Sequence, residues 1–290
     1  MYGLPRRTVL SLPILALLPA AAGQAHDFAP LAAAAHAVER VSGGRCGLAV
    51  LDTGTGQRFA IRGDERFPMC STFKMALCAQ LLDSIEQGQT SASQTVPITQ
   101  ADMVSHAPFT QPRIGQSATL LELAAAAMVT SDNPATNLIL HHLGGPEAFT
   151  AWVRKQGDKV TRLDRYETMM SEGLPGDPRD TTSPEAMLAL AQSLLLGETL
   201  SAAARAQLIT WMHASETGDD MVRAGLPDGW KEGNKTGAGD RGIRNTISLI
   251  TPPGRPPLLL TIYIAEAERD IALRNRHHAA LARALVESIA

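Results

Sequence analysis

Two β-rich stretches lie at opposite ends of this chain, and its fold must reconcile them. Near the first end, "CGLAVLDTGTGQRFAIRG" gives two short alternating apolar runs around Thr53-Gly54-Thr55-Gly56, a hairpin signal. Near the other, "NTISLITPPGRPPLLLTIYIA" repeats the pattern around a Pro- and Gly-rich turn, and a final helix is read from about Glu268 to Ile289. The segment between is dominated by helical periods: Ser71 to Gln87, Leu120 to Thr130, Asn133 to Leu143, Pro146 to Gln156, Ser183 to Leu196 and Ser201 to Ala214. With a further helix over Phe28 to Val41, the pattern predicts an α/β chain of the α+β kind. An antiparallel sheet comes from both termini, flanked by helices, with an all-helical lobe inserted. The α/β lobe is assigned to residues 26–70 and 215–290, and the helical lobe to 71–214.

Residues 1–25 differ in kind. Arg6 and Arg7 precede a short, Pro-broken apolar run and small residues where a signal peptidase would cut, which reads as an export leader, of the twin-arginine type or of the Sec type that also begins with positive charge. The apolar part is shorter than the roughly 20 residues needed to span a bilayer, and no later segment qualifies. A periplasmic or secreted protein with no membrane anchor after leader removal, and monomeric, is expected. The composition is 44% hydrophobic and 19% charged with net charge -3, which excludes the basic excess of a nucleic-acid binder. Cys46, Cys70 and Cys78 are odd in number, and two turns of helix separate the last two, so three buried thiols are expected and no disulfide.

Four separate signals bear on chemistry. In "MCSTFKMALC" Ser71 stands one turn before Lys74 at the head of a helix that is apolar nearly all round. A helix-terminal Ser beside a snorkelling Lys would explain that pair structurally. Alternatively, a Lys that loses water among apolar neighbours has a lowered pKa and can activate the Ser as a nucleophile, with helix N-terminal amides beside it for an oxyanion. Ser131 and Asn133 in "TSDNPATN" fit plain helix capping before a Pro. "NKTGAGDRG" reads as a surface turn, yet Lys235, Thr236 and Arg244 would set two cations and a hydroxyl on or beside one edge strand, a cradle for a carboxylate. The stretch 161–184 has no sustained period and carries Glu167, either a solvated carboxylate or a general base held by its loop. Arg165 and Asp180 at its ends could close it, with little gain if that pair is exposed.

S-x-x-K, S-D-N, a loop Glu and K-T-G in this order closely resemble the class A serine β-lactamases. The resemblance runs from the hairpin to the last helix and includes Gly144-Gly145 and "DTTSP". It implies hydrolysis of penicillins and cephalosporins through an acyl-enzyme on Ser71, conferring antibiotic resistance without a cofactor or metal. The residues between 161 and 184 become the family's omega loop. Backbone amides of Ser71 and Ala238 would hold the oxyanion, the latter following Gly237. Lys74 or Glu167 would take the first proton, and residues alone leave that choice open. Ser131 would protonate the departing nitrogen and Asn133 hold the acylamide. Lys235, Thr236 and Arg244 would bind the carboxylate, while Asn137 would orient Glu167, which activates water for deacylation.

Three departures stand out. Ser171 occupies the place of an Asn that positions the deacylating water, and its smaller side chain predicts room for bulky substituents and some carbapenem turnover. His106 stands where relatives carry an aromatic residue at the site's mouth. Cys70 resembles a Cys of carbapenem-hydrolysing relatives, but its partner position is Gly239, and Cys78 faces Ala124. Rival readings are a D-Ala-D-Ala peptidase, against which Glu167 speaks, and a non-hydrolysing penicillin sensor, against which the lack of a spanning segment speaks. A zinc enzyme is disfavoured because His141-His142 and His277-His278 are adjacent pairs that point to different helix faces.

Overall fold

The structure, a computed structural model, describes residues 25–290, so the leader lies outside the described residues. After α1 (Ala29–Ser42), β1 (Arg45–Asp52) and β2 (Arg58–Ile61) form the expected hairpin. Asp52 closes its turn, Oδ1 accepting from the N–H of Gly54 at 2.7 Å and of Thr55 at 3.3 Å. The chain continues through β3 (Phe67–Pro68), α2 (Phe73–Glu86), β4 (Thr95–Pro97), β5 (Ser117–Thr119), α3 (Leu120–Val129), α4 (Asn133–His142) and α5 (Gly145–Lys155). Beyond the long loop come β6 (Thr181–Thr182), α6 (Pro184–Leu195), α7 (Ala202–His213), β7 (Lys231–Gly239), β8 (Ile243–Thr251), β9 (Leu258–Ala265) and α8 (Ile271–Ser288). Side-chain caps set several helix starts: Thr119 with Glu122 in a capping box, Asp132, Ser183, Ser201 and Asp270.

The strands β2-β1-β9-β8-β7 form one antiparallel sheet in that order. The two ends of the chain meet at β1 and β9, where Arg45 faces Ala265 and Asp52 faces Leu258. Because side chains alternate across a strand, Leu48, Val50, Ile262 and Ile264 pack on α1 and α8 through Leu31, Val38, Leu281 and Leu285. Ala49, Leu51, Leu249 and Tyr263 face the helical lobe instead and join its core. Each buried Leu, Val or Ile among them contributes on the order of 2 kcal/mol. Helix α2 touches α3, α4, α5, α6 and α7, and every residue from Phe73 to Leu82 is buried, which accounts for its apolar circumference.

Two features were not legible as strands: the short pairs β3–β6 and β4–β5 hold two or three residues each, too few for a period. The stretch carrying Lys235 and Thr236 reads from its residues as a surface turn or as an edge strand. β7 is in fact an edge strand, and Arg244 lies on its neighbour β8, in register with Ala238. All three cysteines are free and buried, and burial pushes their thiols up to about 12. Among the described residues no helix is long and apolar enough to cross a membrane.

Helix α8 carries a pH-sensitive residue. His278 is fully buried, one ring nitrogen donating from Nδ1 to the Arg274 carbonyl at 3.0 Å, and burial brings its pKa down to about 3. The unfolded chain therefore binds a proton between the ordinary value near 6.5 and 3 that the folded chain refuses. His278 thus favours unfolding as pH falls through that window, by up to about 1.4 kcal/mol per unit, and is neutral to stability above it. A His278→Gln variant is expected to show a shallower acid limb in urea melts between pH 6 and 4; a slope equal to that of the unaltered chain would refute the assignment.

Candidate active site

The site forms where the loop, the head of α2, the α3–α4 turn and the edge strand β7 converge. Ser71 does not begin the α-helix itself. It sits in a 3₁₀ turn over Cys70–Thr72, and α2 starts at Phe73. Cys70 before it has φ 45°, a left-handed conformation that is strained for a residue with a side chain. The surroundings hold that strain. Asn245 on β8 donates from Nδ2 to the carbonyls of Pro68 at 2.8 Å and Met69 at 3.1 Å, and Met69 N–H donates to the Asp180 carbonyl at 2.9 Å. Gly237 lets β7 approach, since a Cβ there would lie 2.9 Å from Met69 O and 3.3 Å from Ser71 N.

Lys74 is completely buried and surrounded by acceptors. Nζ donates to Asn133 Oδ1 at 2.6 Å, to the Ser131 carbonyl at 2.9 Å and to Ser131 Oγ at 3.3 Å, and pairs with Glu167 Oε1 at 3.1 Å. Burial lowers its pKa, and the Glu167 carboxylate opposes that shift. The same Oε1 of Glu167 accepts from Ser71 Oγ at 3.1 Å, so one carboxylate oxygen touches both the hydroxyl and the ammonium. Ser131, at φ 62°, also receives Lys235 Nζ on Oγ at 3.1 Å. Lys235 is completely buried, and desolvation together with the charge of Lys74 holds its pKa well below the ordinary ammonium range.

Asp132 explains why the turn carrying Ser131 and Asn133 keeps its shape. Fully buried, it caps α4 by accepting from Ala135 N at 2.8 Å and ties in the preceding loop through Phe109 N, Thr110 N and Thr110 Oγ1. Thr236 shares a hydrogen bond with Thr217 Oγ1 at 2.7 Å. Arg244 is buried, which brings it down to about 10, and it remains a cation at neutral pH. Its Nε donates to Asn275 Oδ1 at 2.7 Å, and Asn275 in turn donates to Asp220 at 2.7 Å. Asn245, Asn275 and Asp220 escape a reading of the sequence because their partners are remote along the chain, whereas Asp132 belongs to the cap already read there.

Glu167 is fastened by its backbone. Asn137 donates from Nδ2 to the Glu167 carbonyl at 2.9 Å and accepts the Glu167 N–H on Oδ1 at 3.0 Å. The loop is closed by Arg165 and Asp180, and burial lifts the pair out of the weak, exposed case. Asp180 is fully buried, Arg165 Nε meets its Oδ2 at 2.6 Å, and Oδ1 accepts from the N–H of Asp164 at 2.7 Å and of Arg165 at 3.0 Å. Glu172 adds a second carboxylate on Arg165 at 2.8 Å.

Ser71, Asn133, Glu167, Ser171 and Ala238 line a cleft of about 510 Å³, and Lys235, Thr236 and Arg244 are buried outside that lining. Ser171 Oγ lies 3.4 Å from Glu167 Oε2 and 3.2 Å from Met170 Sδ, a loose hold. His106 is exposed, and its ring donates from Nε2 to the Thr130 carbonyl at 2.8 Å, which draws it off the cleft wall; Ser105 takes that place. Among the described residues no group of three or more His, Cys, Asp or Glu is arranged to hold a metal ion. Cys78 Sγ lies against the Ala124 carbonyl at 3.7 Å.

Comparison with known proteins matches this architecture throughout. A sequence model of the "Beta-lactamase enzyme family" covers residues 30–289. The chain is 43% identical to β-lactamase CTX-M-8 of Citrobacter amalonaticus, over 87% of this chain and 86% of that protein, and 42% identical to β-lactamase OXY-2 of Klebsiella oxytoca, over 87% of each. Among solved structures, a class A β-lactamase reconstructed as the last common ancestor of Gram-negative bacteria (GNCA4) superposes with TM-score 0.89 at 47% identity, covering 90% of this chain and 100% of the other. A β-lactamase of Xanthomonas campestris pv. campestris superposes with TM-score 0.88 at 45% identity, covering 90% and 97%. With its folded length matched in sequence and in structure, the chain belongs to the class A serine β-lactamases.

Proposed function

We propose that the chain opens β-lactam rings by a two-step transfer on Ser71, and that this confers resistance to penicillins and cephalosporins. The observation that carries the reading is the shared oxygen: Glu167 Oε1 is in hydrogen-bond contact with the Ser71 hydroxyl and the Lys74 ammonium at once. In acylation the Ser71 Oγ–carbon bond forms as the lactam C–N bond breaks. The Ser71 proton passes to Glu167, Ser131 gives its proton to the departing nitrogen, and Lys74 restores the Ser131 proton while taking up the one on Glu167, so that the carboxylate is ionised again before water attacks. Two ammonium groups donating to Ser131 Oγ support that role, because they stabilise the alkoxide left behind and can restore its proton. Developing charge on the carbonyl oxygen is met by the Ser71 and Ala238 amides.

Lys235, Thr236 and Arg244 supply the positive side of the cleft for the substrate carboxylate, and Asn133, already oriented by Lys74, presents its amide to the acylamide group. Deacylation reverses the roles: Glu167 takes a proton from water, the water oxygen bonds to the acyl carbon, and Ser71 Oγ leaves with a proton. The experiment is a chromogenic cephalosporin assay with and without chelator. Many turnovers unaffected by chelator are expected, whereas one stoichiometric burst would point to a sensor or a D-Ala-D-Ala peptidase. The arginine pair near the start of the sequence supports export, with action outside the cytoplasm.

The loosely held Ser171 bears on spectrum. An Asn in its place would fill the cleft beside Glu167 and grip the water more firmly, while the hydroxyl leaves space for a 6α substituent. Imipenem turnover is expected to fall in Ser171→Asn by roughly threefold to tenfold, the size of one hydrogen bond or contact. Equal or faster imipenem hydrolysis by the variant would remove Ser171 as the cause of any carbapenem activity.

A further inference from the structure

One short loop touches two of the groups assigned to the substrate carboxylate. Residues 215–222 connect α7 to the segment before β7, and Gly218, at φ 92°, lets the loop lie close, since a Cβ there would be 2.8 Å from Thr236 Cγ2. Thr217 reaches Thr236 through its hydroxyl at 2.7 Å. Two carboxylates follow. Asp219 is taken by Arg223, whereas Asp220 Oδ2 accepts from Asn275 Nδ2 at 2.7 Å. Among the described residues Asn275 is the one hydrogen-bond partner of that exposed carboxylate.

Asn275, on α8, is only 6% exposed and stands between Asp220 and Arg244. Its amide carries one oxygen and one NH₂ group, so its two ends are not interchangeable. Arg244 Nε–H needs an acceptor and finds Asn275 Oδ1 at 2.7 Å; with the amide turned over, two donors would meet. An ionised Asp220 can only accept, and so it selects the orientation that turns Nδ2 toward itself and Oδ1 toward Arg244. Its charge also reaches the guanidinium: burial lowers the Arg244 pKa, and Asp220 is the largest influence opposing that shift. Arg244 is buried outside the cleft lining, which makes the direction of its guanidinium decisive for contact with a substrate.

We propose that Asp220 is a positioning residue for substrate recognition: acting through Asn275, it aims the Arg244 guanidinium at the carboxylate of the β-lactam. The proposal rests on the reading that Arg244 binds that carboxylate. Asp220 takes no part in bond making. A contact to the carboxylate is present in the ground state and the transition state alike, so Asp220 acts on KM and not on kcat.

The test is a double-mutant cycle on the whole protein, read as steady-state kinetics with benzylpenicillin. Asp220→Ala is expected to raise KM about threefold to tenfold, the loss of one hydrogen bond, with kcat within about twofold of the parent. Asp220→Asn restores a neutral acceptor for Asn275 Nδ2 and should recover most of that loss, which a role of the charge alone would not allow. In an Arg244→Ala background Asp220→Ala should add nothing, because the group it aims is gone. Because the side chain is exposed, the melting temperature should stay within about 2 °C of the parent. An unchanged KM in Asp220→Ala, a loss confined to kcat, equal KM increases in Asp220→Asn and Asp220→Ala, or additive increases in the double variant would each overturn the proposal. The two levels separate cleanly: Arg244→Ala without effect on KM removes the carboxylate reading and this proposal together, while a rise in Arg244→Ala without one in Asp220→Ala removes Asp220 alone.

Discussion

Replacing Glu167 by glutamine is expected to leave a folded protein that reacts with a β-lactam and then stalls. Glutamine keeps the size of the side chain and an oxygen for Lys74 Nζ and Ser71 Oγ, both 3.1 Å away, and the backbone bonds to Asn137 do not involve the side chain. What it lacks is a basic oxygen for the attacking water. General-base assistance typically contributes about 10²- to 10⁴-fold, so deacylation should slow by that order. Intact-protein mass spectrometry should find the drug's mass retained on Ser71, with a burst of one equivalent in stopped flow. Turnover at the parent rate would remove Glu167 from the mechanism. The burst rate answers a second question, which residues alone leave open: a burst as fast as the parent's acylation assigns the first proton to Lys74, and one slowed in parallel assigns it to Glu167.

Asp180→Ala should produce the largest loss of stability. The carboxylate is fully buried, and its removal strips Arg165 Nε and the N–H groups of Asp164 and Arg165 of their acceptors. Breaking a buried charge pair by deleting one partner costs about 3–5 kcal/mol, and at about 2–4 °C per kcal/mol for a chain of this class the melting temperature should fall by roughly 10 °C. Glu172 retains part of the Arg165 charge at 2.8 Å, which keeps the loss toward the lower bound. Because the Asp180 carbonyl also holds Met69 N–H, deacylation should slow as the loop loosens around Glu167. Asp180→Asn keeps an acceptor for the two amides and should recover part of both losses. A shift of less than about 2 °C in Asp180→Ala would show that the pair is incidental.

Much of the site is legible in the sequence because its members come in short local words. Ser71 and Lys74 are one turn apart, Ser131 and Asn133 flank a helix cap, and Lys235 adjoins Thr236, so spacing alone hints at shared faces. Helix boundaries were equally readable, for a cap and a 3.6-residue period are satisfied within a few residues of each other. The short strands β3 to β6 escape that reading, because β3 and β6, and β4 and β5, find their partners across long stretches of chain. β7 pairs with the next strand, β8, but its glycines argue locally for a turn, and Gly237 is what lets the strand approach Met69 and Ser71.

By itself the sequence determined the elements, the order in which they occur and the types of reactive group available, since propensity, capping and periodicity are local. It could not decide which charges would be buried. Whether Arg165 and Asp180 form a screened surface pair or a desolvated clamp, whether Lys235 reaches Ser131, and whether Arg244 is steered by Asn275 depend on packing between segments remote in sequence. Burial sets the dielectric around a charge, and with it the strength of its partners and the direction of its pKa. Only the tertiary structure brings one oxygen of Glu167 to both Ser71 and Lys74, and so turns a serine, a lysine and a carboxylate into a catalytic unit.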